Sequence, residues 1–264
     1  MPPPIITLTT DFGVGSPYVA AMKGVILSIN PLVTLVDLTH AVEPQNIRQG
    51  ALVLAEACRW FPPNTIHVAV VDPGVGTERG IVYAKIGRQQ FVAPDNGLLD
   101  GLARAAAPLT IRRVSNPEVW LPEVSATFHG RDIMAPVAAR LSLGLPPERL
   151  GPALDKIVTL RWPEVRVAAG KITGTVQAID SFGNLVTDIT STALADVPRG
   201  EATTVTCDEH ETVGIWQTYG DQPEMTLMAL IGSSGHLEIA IVGESAALML
   251  GIRVGTPVVV KWQG

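Results

Sequence analysis

Three side chains with complementary acid–base chemistry stand at abrupt breaks in the pattern of this 264-residue chain. Asp72 closes the apolar run "TIHVAVVD", and the tight stretch "PGVGTERG" then returns Arg79 seven residues later. His129 stands in "TFHGRDIMAPVAARL", just ahead of a helical pattern that begins near Arg131. A carboxylate and a guanidinium so spaced can fold back into an ion pair, and an exposed pair of that kind contributes only about 0–1 kcal/mol. For residues 72–79 alone, a stapled turn is the better reading. The histidine shifts the balance. A helix N-terminus carries partial positive charge, which disfavours imidazolium and keeps a histidine neutral as a potential base. An acid, a cation and a base at the edges of one sheet are the parts of an active-site wall. A phosphate cradle is rejected: the loop lacks the Gly-Lys-Ser/Thr ending of a P-loop and the G-x-G-x-x-G spacing, and Asp72 would repel a phosphate.

Further polar residues end apolar runs in the same way. Asp11 in "TTDFG" and Asp95-Asn96 in "APDNG" join Asp72 at strand tips, where open α/β sheets bind their ligands. One such aspartate is usually a turn residue; three in one half of a chain suggest a shared cleft, without naming its ligand. In the second half, "AIDSFGNLVTD" sets Asp180, Phe182 and Asn184 about a glycine turn, and "IGSSGHLEIA" pairs two serines before a glycine. Phe182 offers a stacking face, and Asn184 both a donor and an acceptor for a planar heterocycle. Taken by themselves these are better read as two hairpin turns.

The elements that must carry these residues fall into two blocks. Over residues 1–160 strand and helix signals alternate: "IITLTTDF", "VTLVDLTH", "TIHVAVVD", "GIVYAKI" and "QQFVAPD" are strand-like. "YVAAMKGVILSIN", "NIRQGALVLAEACRWF", "LLDGLARAA" and "RDIMAPVAARLSLG" are helix-like, the first opened by Ser16-Pro17 as cap and first turn. Such alternation predicts a mostly parallel sheet in a layered α/β domain. Over residues 161–264 seven strand-like runs follow one another, with only "SAALML" helical, as in a small antiparallel barrel or sandwich. The expected organisation is therefore an α/β domain at 1–160 and a smaller β domain at 161–264.

Composition excludes other classes. Apolar residues make up 47% of the chain and charged ones 17%, which argues against disorder, and a net charge of −6 provides no basic footprint for nucleic acid or an anionic membrane. Cys58 and Cys207 lack metal-ligand spacing and read as free thiols of a reducing compartment. No basic leader precedes "MPPPIITLTT" and no apolar run reaches the length of a membrane span, so a cytoplasmic protein is expected.

Six segments, "TTDFG", "VDPGVGTERG", "FVAPDNGLL", "TFHGRDIMAPVAA", "DSFGNLVTDI" and "SSGHLEIA", together resemble the S-adenosyl-L-methionine (SAM) hydroxide adenosyltransferases, which are adenosyl-forming SAM hydrolases related to the SAM-dependent fluorinating and chlorinating enzymes. The resemblance runs over essentially the whole chain. It implies a Rossmann-like N-terminal α/β domain, a C-terminal β-barrel, and a homotrimer with SAM bound between the N-terminal domain of one subunit and the C-terminal domain of the next. It implies catalytic roles for Asp72, Arg79 and His129, and a carboxylate for the ribose diol at Asp11, with Asn96 among the binding residues. Asn184, Phe182 and the backbone of Ile241 would meet adenine; Asp180, Ser233, Ser234 and Glu238 would meet methionine. The family commonly has asparagine where this chain has Gly232 and Val242. The implied reaction is SAM plus water giving adenosine plus methionine, with no metal and no redox cofactor.

Two rivals are weighed against it. A halogenase of the same superfamily would have to bring an anion beside Asp72, and only "IVYAKIGRQQ" stands where the fluorinating relatives carry a long insertion. A nucleoside-binding module without turnover would need the cleft but not the Asp72–Arg79–His129 set.

Overall fold

The computed structural model describes residues 2–263, which divide into two compact units meeting at Leu160 and Arg161. In the first unit, β1 (Ile5–Thr10), β2 (Thr34–Thr39), β3 (Ile66–Val70), β4 (Ile81–Ile86), β5 (Gln89–Pro94) and β6 (Pro108–Arg113) form one sheet in the order β2-β1-β3-β5-β4-β6. The pairings from β2 through β5 are parallel; those of β4 with β5 and β6 are antiparallel. The reversal has a local cause. Only Gly87 and Arg88 separate β4 from β5, a link too short for a crossover, so the strands must close as a hairpin. The sequence reading missed β6, a partly exposed edge strand that opens on Pro108 and lacks a strong apolar signal.

Helices α1 (Pro17–Ile29) and α4 (Ala135–Ser142) cover one face of the sheet, and α2 (Ile47–Ala57) with α3 (Asp100–Ala105) the other. Strand β3 shows why. Its Val68 and Val70 enter the first core with Met22 and Ile26 of α1, while Ala69 and the following Val71 enter the second with Leu54 of α2. With period-two alternation both sets are buried, and the strand reads as a continuous apolar run.

The second unit contains β7 (Arg166–Ala168), β8 (Lys171–Ile179), β9 (Leu185–Thr190), β10 (Thr203–Cys207), β11 (His210–Val213), β12 (Leu227–Ile231), β13 (His236–Ile241) and β14 (Pro257–Trp262). They pair antiparallel in the path β11-β10-β14-β8-β9-β13-β12, with β7 added to β8. Thr212 Oγ1 donates to Leu227 O at 2.8 Å, bringing the two ends of the path together as a nearly closed barrel. Its interior is filled by alternate residues such as Ile172, Val176, Val205, Leu237, Ile239, Val258 and Val260. One short helix, α5 (Ala246–Leu250), is capped by Ser245. No helix among the described residues is long and apolar enough to cross a membrane.

Candidate active site

Strand β3 ends at Val70 and the chain enters a succession of turns: Val75 N–H bonds Asp72 O at 3.2 Å, and Thr77 N–H bonds Gly74 O at 3.1 Å. These turns carry Arg79 back over Asp72. Arg79 Nε donates to Asp72 Oδ1 at 2.9 Å and its Nη2 donates to Oδ2, a bidentate fork in which the two side chains are 10% and 4% exposed. The pair expected from the seven-residue spacing is therefore present, and it is buried rather than a surface staple. Removing one partner from so buried a pair costs about 3–5 kcal/mol.

The same guanidinium reaches a third group. Arg79 Nη2 lies 3.0 Å from His129 Nδ1, so the structure brings Asp72, Arg79 and His129 to one point. An Arg N–H can only donate, so Nδ1 accepts and a neutral imidazole carries its proton on Nε2. The imidazole pKa is lowered by burial first and by the Arg79 charge second, against the opposing pull of Asp72 and Asp132. Neutral histidine was expected here, on account of a helix N-terminus. The element differs: His129 precedes a π-helical turn, Gly130–Met134, and α4 starts only at Ala135. Such turns recur at functional sites.

One set of contacts braces the His129 loop internally, and one close approach sets it against the Asp72 loop. Asp132 is fully buried and accepts from the backbone N–H of Ser125 at 2.8 Å and from Arg131 Nε at 2.5 Å. Gly76, at φ +78°, lies so close to the chain before His129 that a Cβ there would stand 2.5 Å from Ala126 O. Phe12, Tyr18 and Phe128 also meet edge to face, with centroids 5.2–5.8 Å apart. This cluster was not anticipated, although Phe12 adjoins Asp11 and Phe128 adjoins His129 in sequence.

Asp11 follows β1, and its Oδ2 accepts from Gln45 N–H at 2.8 Å. Asn96 serves its own loop: Nδ2 donates to Val71 O at 2.9 Å, and Oδ1 accepts from Leu98 N–H at 3.2 Å. It thereby ties the exit of β5 to the residue preceding Asp72.

The second unit contains a cavity of about 750 Å³ lined by Asp180, Phe182, Asn184, Ser233, Glu238 and Ile241 together with residues 217–219 and 243–245. Asp180 shapes the β8–β9 turn, its Oδ1 accepting from Phe182 N–H at 2.9 Å and Asn184 N–H at 2.8 Å. Asn184 Nδ2 donates to its Oδ2 at 3.0 Å. Phe182 is left 78% exposed, a bare ring at the cavity. Ser234 turns to His236, with Oγ 3.4 Å from Nδ1. The Tyr219 hydroxyl donates to Glu238, and burial, that bond and the nearby Glu238 and Asp180 charges all raise the phenol's pKa.

Tyr219 was missed because "TVGIWQTY" reads as one strand; β11 in fact stops at Val213. Thr218 and Asp221 then form a capping box around a short 3₁₀ turn. The T-x-x-D spacing was the available signal. Gly232 has a steric reason: a Cβ there would lie 2.5 Å from Glu238 Oε2, so its absence makes room for that carboxylate. Among the described residues no group of three or more His, Cys, Asp or Glu side chains is placed to hold a metal ion.

Comparison with known proteins follows the same division. Residues 6–151 match the family model for the SAM hydroxide adenosyltransferase N-terminal domain, and residues 174–259 match that for the C-terminal domain. An (R)-S-adenosyl-L-methionine hydrolase of Salinispora tropica is 41% identical over 263 residues, covering 96% of each chain. A fluorinase of Nocardia brasiliensis is 31% identical over 291 residues, covering 98% of this chain and 97% of its own. The crystal structure of an uncharacterized conserved protein from Thermotoga maritima superposes with a TM-score of 0.92 at 38% identity, covering 97% of this chain and 99% of the other.

Proposed function

Because the chain belongs to the SAM hydroxide adenosyltransferase family, we propose that it hydrolyses S-adenosyl-L-methionine to adenosine and L-methionine. The observation that carries this reading is the shared guanidinium, Arg79, bonded at once to Asp72 and His129. The sulfonium already makes ribose C5′ electrophilic, and methionine departs as a neutral thioether, so the leaving group needs no acid. What the reaction needs is a nucleophile. Arg79 and the Nε2–H of His129 are donors that bind a water oxygen and favour its hydroxide form. Asp72 locks the guanidinium in register. The oxygen lone pair forms the O–C5′ bond, the C5′–S pair returns to sulfur, and the displaced proton passes to solvent. A preorganised donor to a developing negative charge is worth about 10²–10³-fold, and holding the oxygen in line adds effective molarity.

Asp11 holds the ribose hydroxyls, with Asn96 fixing the neighbouring loop; residues 1–160 thus supply the chemistry. Residues 161–264 supply recognition, with Asn184, Phe182 and the Ile241 backbone at adenine, and Asp180, Ser233, Ser234 and Glu238 at the methionine end. The carboxylates lining the cavity suit a ligand bearing an ammonium group. A homotrimer with its active sites at subunit interfaces completes the reading, and the free thiols at Cys58 and Cys207 suit a reducing, cytoplasmic compartment. The reaction as written requires neither metal nor redox cofactor. Halide transfer is disfavoured because the fluorinase relative is more distant, at 31% identity against 41% for the hydrolase.

Purified protein incubated with SAM should yield adenosine and methionine in equal amounts by chromatography. Arg79→Ala and His129→Ala should each lower turnover about 10²–10³-fold. Unchanged turnover in both folded variants would discard the mechanism, and nucleoside binding without any product would leave the non-catalytic module.

A further inference from the structure

Behind Asp11 lies a polar chain that the reaction as described does not use. Thr10, fully buried at the end of β1, has its Oγ1 2.9 Å from His40 Nδ1. That oxygen also accepts from Phe12 N–H at 3.3 Å, which leaves its own hydrogen for the histidine. His40 Nε2 lies 3.0 Å from Asp37 Oδ1, an off-axis electrostatic contact rather than a linear hydrogen bond. Asp37 Oδ2 accepts from Lys23 Nζ of α1 at 2.6 Å. Burial pushes the Asp37 carboxyl up, but Lys23 and His40 outweigh it and hold it below its ordinary value.

The backbone converges on the same place. Gly13 N–H donates to His40 O at 2.8 Å, so Thr10, Phe12 and Gly13, which bracket Asp11, all attach directly or through Thr10 to His40. The parallel register of β1 and β2 also slips there, pairing Leu8 with Asp37 and then Thr9 with Thr39, so that Leu38 is an extra residue. A bulge of this kind re-aims the side chains beyond it and is rare between parallel strands. Gln45, whose N–H holds the Asp11 carboxylate, sits at φ +65°, a left-handed conformation uncommon outside glycine. A bulge, a strained residue and a buried hydroxyl–imidazole pair around one carboxylate are more than a loop end needs.

We propose that Thr10, His40, Asp37 and Lys23 form a positioning relay that aims the Asp11 carboxylate at the vicinal hydroxyls of a bound ribose. The relay rests on the reading of Asp11 as the diol carboxylate. It makes His40 a positioning residue, acting through Asp11 without touching substrate. Selectivity for a diol-bearing nucleoside is then set in part by residues remote from it.

The test is calorimetric titration of the full chain with adenosine and with 2′,3′-dideoxyadenosine. His40→Ala should weaken adenosine about 10-fold, the equivalent of one well-placed hydrogen bond, and leave the dideoxy compound within about twofold. His40→Asn, whose amide can still meet the Thr10 hydroxyl, should recover most of the loss. Should His40→Ala fail to fold, Asp37→Asn probes the same relay at a half-exposed position and should shift adenosine alone, about threefold. Equal weakening of both nucleosides, or no change in either, overturns the relay. Asp11→Ala separates the two claims: it should abolish the preference for adenosine. If Asp11→Ala leaves that preference intact, the diol reading fails and the relay with it. If Asp11→Ala removes it while His40→Ala spares it, only the relay fails.

Discussion

Arg79 is the residue on which the proposed catalytic chemistry converges, and its effect on His129 can be measured. Burial and the adjacent guanidinium both disfavour imidazolium, whereas Asp72 and Asp132 favour it. Replacing Arg79 with alanine removes a depressing charge and frees Asp72 to act on the ring, so the His129 pKa should rise, by NMR titration, from below the ordinary 6.5 or so toward or above it. In the wild type the acid limb of the pH–rate profile should accordingly fall below about pH 6.5, where a second ring proton would confront the guanidinium. A wild-type His129 that titrates above that value would contradict the bonding described. At this scale the sequence was half legible. Seven-residue spacing across a glycine-bearing loop announced the Asp72–Arg79 pair; nothing in spacing announced that Arg79 also meets a histidine fifty residues on, because that contact is made by packing of two loops.

Loops and turns do that packing, and Gly76 is where it is tightest. A Cβ at this positive-φ position would meet Ala126 O at 2.5 Å, and backbone cannot yield as a side-chain tip can. Gly76→Ala should therefore part the Asp72 loop from the His129 loop, destabilising the protein by about 1–3 kcal/mol in denaturant titration. Turnover should fall more steeply than nucleoside affinity. Equal loss of both would mean the glycine serves folding alone. The elements that the sequence reading caught are those with a strong apolar signal, such as β3 and α1; β6 escaped it as a partly exposed edge strand and β7 as an exposed strand of three residues. The π-helical turn escaped for a different reason: one extra residue per turn leaves no mark in composition, and only the bond from Ala135 N–H to Gly130 O betrays it.

Over the whole molecule, stability at low pH should depend on His67, near the start of the interior strand β3. It is fully buried, stacked on Phe91 at 4.9 Å, with Nδ1 2.7 Å from Thr7 Oγ1 and 3.4 Å from Cys58 Sγ. Burial lowers its pKa to about 4 and raises the Cys58 thiol to about 12, so both stay neutral in the folded protein at neutral pH. The unfolded chain takes up the histidine proton near pH 6.5, before the folded one can. Stability is thus complete above about 6.5 and declines by about 3 kcal/mol as the pH falls toward 4. Urea titrations at pH 7 and 4.5 should show this decline, and His67→Gln should flatten it. The proposed trimer is checked by light scattering, which should return three times the mass of the chain; the mass of a single chain would overturn it.

The hairpin at Gly87 and Arg88 carries one more consequence. Because β4 runs back against β5, its turn points away from the pole where Asp72 and Asp95 emerge, while Asp95 N–H bonds Gly80 O at 2.8 Å on the reactive side. Chain length gained or lost at that bend alters the remote rim of the sheet and leaves the distances among the reacting groups untouched. It is the natural place to graft an epitope or a dye.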